Sequence, residues 1–184
     1  MAILILGILL WVLPHMFKRL APRRHLMLMP QVRAMVAGAV LTGVVLMVVG
    51  YRMAAVIPVY TPLPGMGHAN NTLMLISVYL FGVSGARSVL IDKIRHPMLT
   101  GMLLWAIAHL LVNGDVASIV MFGSLGLWAV VEMVLINRAG PWKRPKPGSI
   151  GGDIKNLIGT ALIFGLIAYV HIWLGHNPFL GTYP

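Results

Sequence analysis

"RHPMLTGMLLWAIAHLLVNGD", residues 95–115, is the stretch on which the reading of the whole chain turns. Pro97 suits the first turn of a helix, where no amide hydrogen is needed. Asn113 and Gly114 are residues that end helices, and Asp115 stands where it can cap the next one. The spacing therefore predicts a helix over about 97–112, a tight turn, and an antiparallel neighbour. The run is almost wholly apolar, yet it carries His109 near its end and His96 at its start. On helical spacing Gly101, Trp105, His109 and Val112 share a face. A small residue, a flat aromatic ring and an imidazole in that order suit a planar ligand. The alternative is that Gly101 and Trp105 only pack, while His109 bonds a nearby carbonyl. Both readings stand, although ionisable groups inside a membrane are functional by default. At the helix start, Arg95, His96 and Lys93 surround free amides and the positive end of the dipole, which favour anions. They form either a phosphate or carboxylate site, or a lipid-headgroup anchor with His96 as a weak cap.

The composition around this stretch fixes its surroundings. The 184 residues are 59% hydrophobic and 10% charged, with a mean hydropathy of +0.88. A soluble domain is about a quarter charged. The chain therefore reads as one integral membrane domain, residues 1–184. Its net charge of +10 sets 14 Lys and Arg against Asp92, Asp115, Glu132 and Asp153. The basic residues sit between apolar runs, so they point to lipid headgroups and topology, and nucleic acid is not an expected partner. There is no cysteine. That excludes disulfides, thiolate metal sites, iron–sulfur clusters and covalent haem attachment, and leaves imidazole as the leading ligand.

Six apolar runs follow one another: the opening "AILILGILLWVLPHMF", then roughly 34–57, 72–91, 97–113, 116–137 and 156–175. The opening run has basic residues after it rather than before it, so it reads as a retained helix and not a cleaved signal. The first and fourth runs are short against the roughly 20 residues a span needs. Lys18, Arg19, Arg23, Arg24 and Arg33 follow the first run; Arg87, Lys93 and Arg95 follow the third; Arg138, Lys143, Arg144, Lys146 and Lys155 follow the fifth. Only Arg52 breaks the pattern. The expectation is an all-α bundle of about six membrane helices in an inner membrane, with both termini on the non-cytoplasmic side.

The fourth run, "LLWVLPHMFKRL" in the first and "AYVHIWL" in the last together resemble the NnrU family of bacterial membrane proteins. That family is associated with nitrite and nitric oxide metabolism in denitrifying bacteria. It is related to the 15-cis-zeta-carotene isomerase, a membrane enzyme that carries haem b on histidines and isomerises a double bond in a redox-dependent way. The resemblance implies haem b as cofactor, a membrane redox partner or larger complex, and isomerase-like or nitric-oxide-linked chemistry. It also implies that His15 and His109 match the two haem ligands and that Arg95, His96 and Pro97 match the shared "RHP". The isomerase pattern has a serine after the first histidine, where Met16 stands here.

Depth along the helices gives a second pairing. At about 1.5 Å per residue, His109 lies roughly 18 Å above Pro97 and His171 roughly 24 Å above Lys155, whereas His15 lies only about 9 Å above the inner edge of a ~30 Å core. Family pattern pairs His109 with His15; depth pairs it with His171. Glu132 is expected to meet Arg138 or Arg87. Two rival functions accompany these readings. "RHP" with Gly101 and Trp105 also resembles membrane methyltransferases that bind S-adenosylmethionine, although "AGPWKRPKPGSIGG" lacks the acid and tyrosine those enzymes use. The short polar loops also suit a non-catalytic subunit of a membrane complex.

Overall fold

The computed structural model describes residues 1–21 and 31–180; Arg23, Arg24 and His25 lie outside the described residues. The described chain is helical: α1 (Ala2–Leu20), α2 (Gln31–Arg52), α3 (Met66–Ala86), α4 (Pro97–Val112), α5 (Val116–Ala139) and α6 (Ile150–Trp173). α5 contains a five-residue π-helical segment, Ile119–Gly123. No strand occurs among the described residues, and the single isolated bridge joins Pro58 to Asp115.

Local chemistry sets the helix ends. Pro97 opens α4 and the Thr100 amide bonds the His96 carbonyl at 2.9 Å. Asn113 closes it twice, with its amide (2.9 Å) and its Nδ2 (2.8 Å) both donating to the His109 carbonyl. Asp115 then caps α5, accepting from the Ser118 amide (3.0 Å) and the Ser118 hydroxyl (2.5 Å). That donation leaves the Ser118 oxygen to accept from Tyr51 Oη at 2.7 Å, which ties the end of α2 to the start of α5. Ser149 caps α6 by accepting the Gly152 amide at 3.0 Å. Arg87, at φ 56°, ends α3 in the left-handed region, and its carbonyl takes the Ser149 amide at 3.1 Å.

Residues 2–20, 33–52, 116–139 and 150–173 are each long and apolar enough to cross a membrane. The 16-residue α4 extends about 24 Å, short of a roughly 30 Å hydrocarbon core. α3 has 21 residues but opens on a polar turn containing His68, Asn70, Asn71 and Thr72. By length and composition, four of the six helices are candidates to span a membrane.

The principal packing contacts run in the order α2–α1–α5–α4–α3–α6. α3 is thus flanked by α4 on one side and α6 on the other, and this arrangement makes the site. The α1–α2 pair is held by small residues. A Cβ built on Gly7 would stand 2.8 Å from the Gly43 carbonyl oxygen, and one on Gly50 would stand 2.7 Å from Leu4 Cα. In lipid, where apolar faces do not select partners, such close backbone approach is what fixes a neighbour.

The basic segments gather at one end. Arg95 Nη2 donates to the carbonyls of Ile136 (3.2 Å) and Gly140 (2.7 Å) at the C-terminus of α5, where a cation also suits the dipole. Arg19 Nε donates to Glu132 Oε2 at 2.8 Å, so the partner of Glu132 is Arg19 rather than Arg138 or Arg87. At the opposite end Val59 donates to Gly114 O at 2.7 Å, Tyr60 Oη donates to the Leu110 and Asn113 carbonyls, and Asn71 Nδ2 donates to Pro178 O at 2.7 Å.

Gly50→Leu overpacks the α1–α2 seam and should cost about 1–3 kcal/mol. Gly38→Leu, which meets nothing within 4 Å, should leave the thermal unfolding midpoint in detergent unchanged.

Candidate functional site

His15, His109 and His171 share one local device. Each imidazole donates from Nδ1 to the carbonyl four residues earlier: His15 to Trp11 (2.6 Å), His109 to Trp105 (2.8 Å) and His171 to Ile167 (2.8 Å). A carbonyl only accepts, so each Nδ1 carries a proton, and in the neutral tautomer of such a ring Nε2 is the atom with a free lone pair. This is the arrangement by which proteins fix a metal-ligating histidine in tautomer and orientation.

Two of the three meet at one cleft. A half-enclosed space of ≈ 550 Å³ lies over α3, between α4 and α6. His109 and Trp105 line it from α4, and His171 lines it from α6. The α3 floor includes Ser77, Val78, Phe81, Gly82 and Gly85; the α6 wall descends from His171 through Ile167, Ile163, Thr160 and Asn156 to Lys155. The volume falls within the roughly 300–1,000 Å³ of small-molecule sites. Gly101 does not line the cleft. It sits where α3 and α4 come closest: its carbonyl accepts from Ser77 Oγ at 2.8 Å, and a Cβ there would lie 3.0 Å from the Ser77 carbonyl oxygen.

The π-helical segment of α5 supplies the backing for His109. Phe122 stacks on the imidazole with centroids 4.5 Å apart and planes at 23°, and meets Trp105 edge-on at 4.9 Å and Tyr51 at 5.9 Å. π segments inside α-helices are frequent at functional sites. Nothing in the sequence marks that shift of register, so Phe122 escapes sequence reasoning. Thr160 was accessible to it: Asn156 and Thr160 are four apart on an otherwise apolar helix, on the face leading from Lys155.

His15 stands elsewhere. Its ring lies 5.0 Å from both Trp11 and Trp128, in the contact between α1 and α5, above the Arg19–Glu132 pair. It is absent from the cleft lining. Trp11 Nε1, Trp128 Nε1 and Glu132 Oε1 in this cluster are buried without a hydrogen-bond partner.

Compared with known protein families, the chain matches the NnrU protein family over residues 3–181. It belongs to the NnrU family. No curated protein and no solved structure matches it. Within this NnrU-family chain no group of three or more His, Cys, Asp or Glu side chains is arranged to hold a metal ion among the described residues.

The "RHP" segment serves as a joint in this NnrU-family fold. Arg95 is bound to the end of α5, and His96 Nε2 lies 2.8 Å from Asn137 Oδ1. Lys93 Nζ donates to Asp92 Oδ2 at 3.0 Å, and that bond holds the Asp92 carboxyl below the usual carboxylate range. A lowered pKa contributes stability above the ordinary value, which is lost as pH falls through the folded one.

The Arg19–Glu132 pair gives the site's clearest energetic test. Glu132 is 3% exposed, so Arg19→Leu strands a buried carboxylate and should cost about 3–5 kcal/mol. Adding Glu132→Gln to that variant should restore most of the loss, read as a double-mutant cycle on thermal unfolding.

Proposed function

We propose that this NnrU-family protein is a haem b protein of the bacterial inner membrane. In this reading six helices span the bilayer with both termini on the non-cytoplasmic side, and the cleft is the haem site. The reading is carried by one observation: His109 and His171 line the same cleft from helices on opposite sides of α3, each with Nδ1 already committed. The donor set fits the group, since two imidazoles lining a mostly apolar space are a common form of iron ligation, and a chain without cysteine leaves few alternatives.

The roles of the chain's own residues follow. His109 and His171 offer Nε2 lone pairs. The Trp105 and Ile167 carbonyls hold the two rings in the required tautomer. Phe122 fixes the plane of His109 by stacking, and Phe81, Val78 and Ile163 keep water from the space. Haem b, when bound, supplies one-electron redox chemistry. We assign that chemistry to nitric oxide or nitrite metabolism, or to cis–trans isomerisation of a polyene, through the family and its isomerase relatives. Because Arg95 and His96 join α4 to α5, the reading rests on the cleft and not on the helix start.

The absorption spectrum of detergent-purified protein, made with ample haem supply, tests this. A Soret band that shifts on reduction, is lost in His109→Ala and His171→Ala, and persists in His15→Ala is the expected result. A colourless preparation overturns the haem reading. Loss of the band in His15→Ala but not in His171→Ala overturns the pairing and transfers the second ligand to α1.

A further inference from the structure

The cleft is longer than a pair of histidines requires. From His171 to Lys155 it descends 16 residues of α6, about 24 Å. Most of that length is lined by apolar side chains, and its polar exceptions are informative. Ser77 is spent on the Gly101 carbonyl, and Asn156 Nδ2 donates to the Tyr79 carbonyl at 2.9 Å. Thr160 is different: it is 7% exposed, it lines the cleft, and its Oγ1 has no partner. A buried hydroxyl left unpaired costs about 1–3 kcal/mol, so one is retained where something else completes it.

Lys155 stands at the charged end of the same cleft. Its ammonium is exposed and has no ion-pair partner among the described residues. The acid closest to it in sequence, Asp153, already accepts from Tyr79 Oη and from Ser88 Oγ. A free cation at the mouth, an unpaired hydroxyl about 7.5 Å further along the helix, and an apolar channel beyond form an ordered set. Their complement is a molecule with an oxygen-rich anionic head and one long apolar chain.

We propose that the cleft binds a single-chain anionic amphiphile. Its carboxylate or phosphate head is held by Lys155 Nζ and Thr160 Oγ1, and its chain runs along α3 towards His109 and His171. The proposal rests on the cleft being the working site, as above, and it names the substrate class of that site. The bilayer provides such molecules laterally, so the chain enters over α3, between α4 and α6, without crossing water.

The test uses the full-length protein in neutral detergent, titrated with a radiolabelled long-chain fatty carboxylate, an isoprenyl monophosphate and a long-chain alcohol. Saturable binding of one or both anions, with the alcohol much weaker, is expected; which anion binds more tightly identifies the head. Lys155→Gln should weaken anion binding about tenfold, the loss of a charge-assisted hydrogen bond. Thr160→Val should weaken it severalfold. Gly159 lines the cleft and a Cβ built there meets nothing within 4 Å, so Gly159→Leu should extend into the channel and block it while leaving the unfolding midpoint intact. Equal binding of the alcohol, or anion binding that survives all three substitutions, overturns the proposal. The absorption spectrum of the same samples separates the two readings. Saturable anion binding without a Soret band retains this inference and removes the haem; a Soret band without anion binding does the reverse.

Discussion

The approach of α3 to α4 at Gly101 is the contact on which the rest of the site depends. Two helices in a lipid environment gain nothing from hiding apolar side chains from each other, because the lipid is as apolar as they are. What holds them is backbone proximity and a hydrogen bond with no competing water. Ser77 provides that bond to the Gly101 carbonyl, and the missing side chain at Gly101 allows the approach. His109 is then carried two turns above the crossing, at the edge of α3. α6 packs on the other side of α3, and His171 comes to the same edge. Had α4 carried a larger residue at 101, the groove over α3 would have no fixed wall.

The sequence analysis reached the elements more readily than their arrangement. Pro97, Asn113 and Asp115 act on their own local backbone, so the limits of α4 and the cap of α5 were readable from residue type. The segregation of basic residues was equally local, and the structure gathers Arg19, Arg95 and Arg87 at one end of the bundle. Neighbour order was not readable. Hydropathy tells which residues leave water, but a nearly uniform apolar helix gives no signal of which face meets which helix. For that reason the choice between His15 and His171 is open at the level of sequence, and Glu132 is there expected to meet Arg138 or Arg87. Its partner Arg19 lies 113 residues away, brought there by the α1–α5 contact. Phe122 was hidden for another reason: a π segment shifts the register of α5 without any residue that announces it.

The fate of the four acids narrows the chemistry of the cleft. Asp92 is held by Lys93, Asp115 caps α5, Glu132 faces Arg19, and Asp153 receives Tyr79 and Ser88. Each has a partner elsewhere in the fold, and none lines the cleft. The groups that remain are two imidazoles, one ammonium and one hydroxyl. With Nδ1 of each histidine tied to a backbone carbonyl, each ring has a single working atom, so the pair is better suited to holding something between two lone pairs than to relaying protons across the ring. A cleft with two imidazoles at one end and an unpaired lysine at the other also carries a built-in polarity. On the proposed reading an asymmetric molecule would enter it in one orientation, and the bond beside the histidines would be set by the length of chain measured from the head.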